Sequence, residues 1–266
     1  MINFRFGLLP VEEIQPWGGV GESPRLSWFG LTDGWYCVDV GGHELLRYVD
    51  RAPHPPDGEQ GGRAASSYVD YFVVRFWEDI LEMVPRVMEP VPEDLVAFVS
   101  GDETHWASAD TSEAEEAADW HNHHHLDMGH LRNPSELRWW RTVADGEDVM
   151  TVSWQHEPGG GIEFTAPAKG RVTLPTASFV AAVTELDRAL LAVMEQRVTE
   201  LEAVGPPPGV HIDLRHLRHE QRDRATWLQR AWGRACDTDW DAVRAGAREL
   251  LRPHRGSAGG SDRMEE

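Results

Sequence analysis

The sequence predicts an α+β protein in which antiparallel sheets are each followed by a long amphipathic helix, with a C-terminal helical segment. Three observations predict it. Apolar and aromatic runs broken by Asp-Gly and Gly-Gly dipeptides occur twice, over 26–50 and 137–175, and such dipeptides supply the positive φ of tight turns between strands. Each set is followed by apolar residues spaced three and four apart, over 69–87 and 179–201, the period of a helix with one buried face. Helical patterning then returns over 213–251, with Asp and Thr at the starts.

Taken in order, Ile2 to Phe6 reads as a first strand, and Pro10, Pro16, Pro24 and the glycines of PWGGVGE make an irregular loop. LSWFGLTDGWYCVDVGGHELLRYVD reads as a three-stranded meander turning at Asp33-Gly34 and Gly41-Gly42, and 52–67 as a flexible loop. The next helix carries Val69, Phe72, Val73, Phe76, Ile80, Met83, Val84 and Val87 inward. Arg75 and Asp79 lie on its polar side, and Pro85 should kink or end it. A helix over 111–131 opens at a capping box of Ser112 and Glu115. About four strands follow, turning at Asp145-Gly146, 158–161 and Lys169-Gly170. Thr176 then caps a helix of nearly thirty residues that buries Phe179, Val183, Leu186, Leu190, Met194, Val198 and Leu201. Helices over 213–235 and from Thr238 and Asp241 to Leu251 close the fold, before a disordered tail.

These elements group as 1–100 (sheet and helix), 101–134 (an acidic, His-rich connector helix), 135–205 (hairpins and long helix), 206–253 (C-terminal helices) and 254–266 (tail). The halves echo one another, Leu26-x-Trp28 with Asp33-Gly34 against Leu137-x-Trp139 with Asp145-Gly146, though no long identity supports a duplication.

Composition excludes several classes. Hydrophobic residues at 41% and charged residues at 26% exclude a wholly disordered or fibrous chain. Forty-five acids against 25 basic residues, a net charge of −20, oppose non-specific binding to nucleic acid or anionic lipid. Two cysteines, Cys37 and Cys236, are too few for a disulfide framework, and the N-terminus lacks a signal-peptide pattern. No apolar run reaches the roughly 18 residues of a membrane span. The chain is therefore expected to be cytoplasmic. Lys169 is the single lysine, a bias that a GC-rich genome explains without reference to function.

Charge is distributed unevenly. Between Val87 and Leu131 there are eleven acids and no Lys or Arg, whereas 205–256 holds ten arginines against seven acids. A concentrated negative field steers a positive partner, and Trp106 and Trp120 within it read as aromatic anchors inside a charged rim. The candidate partner-binding residues are Asp102, Glu103, Trp106, Glu113, Glu115, Glu116, Asp119 and Trp120. The alternative is a metal-dependent hydrolase. If the 111–131 helix runs on, His121 and His125 share one face, and His130 or Asp127 adds a further ligand. No HExxH accompanies them. Asp213, His216 and Glu220 form a further stripe, but the interleaved arginines read as an ion-paired solvent face. There is no Walker loop, no dinucleotide fingerprint and no G-x-S-x-G elbow, so no cofactor is expected. Neither the partner's identity nor the oligomeric state is written in these patterns.

As a set, PWG at 16–18, LSWFGLTDG at 26–34 with Tyr36, LLRY at 45–48, DYFVVRFWEDIL at 70–81, PVP at 90–92 and EQRDRATWL at 220–228 resemble a bacterial family of unknown function. That resemblance spans most of the chain and implies no activity. The Trp-plus-TDG opening, under thirty residues, also resembles small immunity proteins that neutralise secreted bacterial toxins. The expectation is a non-enzymatic cytoplasmic binding protein that engages a basic protein through its acidic middle, in the manner of an inhibitor.

Overall fold

A computed structural model describes residues 1–18, 23–49, 66–103, 106–108, 110–131, 134–156 and 163–252. The loop expected over 52–67 falls almost entirely outside them, and the tail over 254–266 wholly so. The chain divides into two units, one of Met1–Val91 with His123–Cys236, the other of Pro92–Asn122 with the segment from Asp237 onward.

The first unit is α+β, with two antiparallel sheets. In the first sheet β2 (Asp33–Val40) is central, pairing with β1 (Ile2–Leu8) on one side. On the other side it pairs with β3 (His43–Leu45) and β4 (Val69–Phe72), which lie along different halves of it. The second sheet runs β5 (His125–Leu126), β6 (Glu136–Ala144), β7 (Glu147–Gln155), β8 (Lys169–Pro175). Gly41-Gly42 and Asp145-Gly146 turn their hairpins as expected, all four residues at positive φ.

The meander is corrected. Residues 26–32 are not a strand but a loop closing in a turn of 3₁₀ helix at Gly30–Thr32, and Asp33-Gly34 opens β2 instead of turning it. Gly34 is needed because a Cβ there would overlap the Gly7 carbonyl oxygen across the β1–β2 pair. Lys169-Gly170 likewise begins β8, with Gly170 beneath the Trp154 indole. The fourth strand of the second sheet is β5, outside the segment where it was expected.

Helix α1 (Val73–Met88) begins four residues later than its period suggests, because 69–72 pairs with β2 as β4. Pro85 sits inside α1 rather than ending it. Helix α4 (Thr176–Val204) has the expected length and buries all seven residues assigned to its core face. Thr176 does not cap it; its hydroxyl bonds Asp148 at 2.6 Å. Gly205, at φ 89°, ends the helix. Helices α5 (Leu214–Arg224), capped by Asp213 to the His216 amide, and α6 (Trp227–Trp232) complete the unit. The echo between halves is not structural: Trp28 precedes a 3₁₀ turn, whereas Trp139 lies within β6.

Tryptophan organises this core. Trp28 is fully buried and donates its indole N–H to Gln221 at 2.9 Å, and the Gln221 amide donates onward to the Leu191 carbonyl at 3.1 Å. Trp77 donates to Asp187 at 3.0 Å and stacks on Trp227. The Arg224 guanidinium lies over both Trp28 and Trp227, 4.4 and 4.6 Å from their centroids, and pairs with Glu78.

The second unit is helical: α2 (Val96–Val99), α3 (Ser112–Asn122) and α7 (Trp240–Leu250). Its caps lie one residue from those expected. The Thr111 hydroxyl accepts from the Ala114 amide, and Asp239 accepts from the Asp241 and Ala242 amides. Gly246 lets α3 and α7 touch, since a Cβ there would overlap the Glu113 carbonyl. No helix among the described residues is long and apolar enough to cross a membrane.

Gly34→Ala is expected to destabilise the protein by about 3 kcal/mol, since backbone rather than a movable side chain meets the new methyl. Gly129→Ala, whose nearest neighbour is the tip of the Asp127 side chain, is expected to cost under about 1 kcal/mol. Chemical denaturation of both variants checks the contrast.

Candidate functional site

The sequence-predicted acidic residues lie in the second unit. On α3 the positions of Glu115, Glu116 and Asp119 fall within about 100° of one another at 3.6 residues per turn, and all three are exposed. Glu113 is exposed at the first turn. The opposite face buries Ala114, Ala117, Trp120 and His121. Among the described residues no ion pair forms with Glu113, Glu115, Glu116 or Asp119. The unit's Arg244 is engaged by Asp94 at 2.7 Å. The described part of this unit holds thirteen acids against three arginines, and all three arginines lie in the α7 segment, so the negative field expected from the sequence resides in 92–122.

The tryptophans behave otherwise than as exposed anchors. Trp120 is 4% exposed. It stacks on Phe98 at 6.2 Å and meets the edge of Trp240 at 5.7 Å. Trp106 is half-buried and stacks on Phe98 at 5.2 Å. Both rings hold the loop and helix together beneath the acids. Glu103 is exposed but reaches His121 Nδ1 at 3.0 Å, and Asp102 beside it is exposed.

The histidines do not share one helix. α3 ends at Asn122, so the spacing that would put His121 and His125 on one face is broken. The chain leaves the helix because residues 125–126 pair with β6, burying Leu126. His125 Nε2 accepts from Arg138 Nε at 2.6 Å, and burial beside that guanidinium pushes its pKa down to about 3. It is therefore neutral at physiological pH.

His130 belongs to a cluster that sequence reasoning missed. In the first unit its Nε2 lies 2.9 Å from the Tyr36 hydroxyl, and its Nδ1 faces Asp79 Oδ2 at 3.9 Å. Neither of those last two atoms has a hydrogen-bond partner among the described residues. Tyr36 is fully buried against Phe76. Burial and the nearby Asp79 raise its pKa, so it stays a protonated phenol beside His130 Nε2. Arg75 bridges Asp79 at 3.0 Å and Asp127 at 2.7 Å. Asp79 is 5% exposed, and its pKa rises to about 7; burial dominates, Arg75 opposes, and Asp127, Glu78 and Glu82 add to it. His130 is lowered by burial and by Arg75. The signal was available: Asp79 has Phe76 three residues before it and Met83 four after, so it lies on the apolar face.

Cys37, Asp39 and Glu44 converge as a potential cation site. Arg5 already occupies it, bonding Asp39 at 3.0 Å and pairing with Glu44. Burial pushes the Cys37 thiol up to about 12, so no thiolate is on offer.

Among known proteins, the family model described as a family of unknown function (DUF5984) matches residues 3–246. No curated protein and no solved structure was found to match the chain.

The raised Asp79 pKa fixes a sign. A carboxyl that titrates near 7 when folded and near 4 when unfolded contributes stability that is complete below about pH 4 and is lost as pH rises through 7. The lowered His130 acts oppositely, losing stability as pH falls below its unfolded value. Asp79→Asn removes the first slope. Its melting temperature at pH 8 is expected to exceed the parent's by about 3–6 °C, with the gap closing towards pH 5. Thermal melts across that range check it.

Proposed function

We propose that this chain, which belongs to DUF5984, a family of unknown function, is a non-enzymatic binding protein whose acidic helical unit captures a basic protein. The observation that supports the reading is the exposed α3 stripe of Glu115, Glu116 and Asp119, whose charges are not neutralised by an ion pair among the described residues. Aligned like charges repel one another across a helix turn, so keeping them together costs stability that a cationic partner would return.

Trp106 and Trp120 serve this reading as the frame that holds the face, not as anchors, because an indole stacked inside its own unit is unavailable to a partner. Capture then rests on steering and rim electrostatics, which raise association rates more than they slow dissociation. Occlusion of a basic enzyme by such a face is inhibition of the immunity type. The reading includes a cytoplasmic location, where the free thiols Cys37 and Cys236 persist.

The test is stopped-flow association with a fluorescent twenty-residue Arg/Lys-rich peptide. The triple variant E115K/E116K/D119K is expected to slow association by about tenfold at low salt, and raising salt to about 0.2 M to slow the parent similarly. Equal rates for parent and triple variant would remove the proposal.

A further inference from the structure

The first unit carries a feature of opposite sign. A surface cavity of about 400 Å³ lies between α4 and α5, lined by Glu202, Leu214, Arg215, Arg218, His219 and Arg222. That volume is within the range of small-molecule sites. The four basic side chains share one stripe because positions 215, 218, 219 and 222 fall within about 100° on a helix of 3.6 residues per turn. The other face of α5 is fixed by Leu217, Gln221 and Arg224, all buried. The stripe cannot rotate away without pulling Gln221 off the Trp28 indole.

Within the stripe the arginines differ. Arg218 is held by α4: it donates to Glu202 at 2.6 and 3.0 Å, to Glu195 at 2.6 Å and to Thr199 at 3.2 Å. Its charge is spent, and it forms a rigid wall. Arg215 and Arg222 are exposed and make no ion pair among the described residues. Their Cα atoms stand two helical turns apart, about 10 Å. In a chain of net charge −20, two exposed guanidinia flanking a cavity, with an imidazole between them and only Asp213 and Glu202 in coulombic reach of them, concentrate positive charge locally. Guanidinium forks bind phosphate and carboxylate oxygens in pairs.

We propose that the α4–α5 cavity is a binding site for a small molecule bearing two anionic groups, one at each end, with Arg215 and Arg222 each taking one. Arg218, braced by Glu195 and Glu202, keeps the floor in place. Glu202 on the rim repels a third negative charge and sets against long polyanions such as nucleic acid. The site is independent of the acidic α3 face, and neither proposal falls with the other.

Fructose 1,6-bisphosphate, with phosphates at the two ends of a six-carbon chain, is the probe, and inorganic phosphate the comparison. Calorimetric titration at low salt is expected to give one site per chain for the bisphosphate and at least about tenfold weaker binding of phosphate. R215Q and R222Q are each expected to weaken the bisphosphate about fivefold, and the double variant about twentyfold or more. Arg188 is exposed and paired with Glu185 elsewhere on α4, so R188Q should leave binding unchanged. All three substitutions are at surface positions, and unchanged melting temperatures confirm folding. Absence of binding, equal affinity in the double variant, or equal losses in R188Q would each overturn the site.

Discussion

The fold of the first unit turns on one node, in which the buried indole N–H groups of Trp28 and Trp77 are satisfied, whereas that of the equally buried Trp139 has no partner among the described residues. Trp28 and Trp77 are both fully enclosed. An unpaired N–H there would cost on the order of 1–3 kcal/mol. The acceptors come from two helices: Gln221 on α5, which is itself held by the Leu191 carbonyl of α4, and Asp187 on α4. Arg224 then fills the space between Trp28 and Trp227 while pairing with Glu78 of α1. A single aromatic and polar node thus fixes how α1, α4, α5 and α6 meet. The consequences reach the surface. With Gln221 and Arg224 turned inward, α5 has no choice about which side faces out, and the arginine stripe follows from the tryptophans beneath it.

Sequence periodicity reported what depended on one element at a time. The α4 core face, the Gly41-Gly42 and Asp145-Gly146 turns and the helical C-terminal segment were all legible because each is set by local spacing or by a positive φ. What was not legible depended on a distant strand. Asp33-Gly34 carries the same letters as a turn, but here Gly34 is small because the Gly7 carbonyl comes up against it. Residues 69–72 obey the helical period as well as any in α1, yet β2 offers them ladder hydrogen bonds and they take those instead. The 111–131 helix stops at Asn122 for the same reason, since β6 claims Leu126. The acids of the candidate face were found by counting charge, which needs no fold. That Trp120 faces inward was not legible from α3's own wheel, on which it falls as near Glu116 as Ala117; its contacts with Phe98 and Trp240 bury it. The Asp79–His130–Tyr36 cluster joins α1, β2 and the segment after β5, and no spacing rule links those.

The two units manage charge in different ways. In the first, arginines near acids are pinned: Arg5 by Asp39 and Glu44, Arg141 by Asp148, Arg218 by Glu195 and Glu202. Such pairs contribute little stability when exposed, but they cancel field and fix side-chain positions. Arg215 and Arg222 are exposed and make no ion pair among the described residues, with Asp213 and Glu202 in coulombic reach of them. In the second unit acids outnumber arginines several-fold and cancellation is arithmetically impossible. Repulsion there is limited by exposure, since water screens charges on the α3 stripe.

Asp79 is the exception that separates packing from function. A buried carboxylate could be replaced by an apolar side chain of similar size at little or no loss, and its neighbours Phe76, Ile80 and Met83 would accommodate one. Arg75 does not depend on it, since it also pairs with Asp127. What Asp79 provides is a carboxyl facing His130 Nδ1, while the Tyr36 hydroxyl meets Nε2. The separation of 3.9 Å is too long for a direct hydrogen bond. A carboxyl titrating near neutrality at that spot makes the cluster responsive to pH. Its energetic logic is therefore that of a group held at a cost for the proton it binds, not that of an ion pair holding the fold.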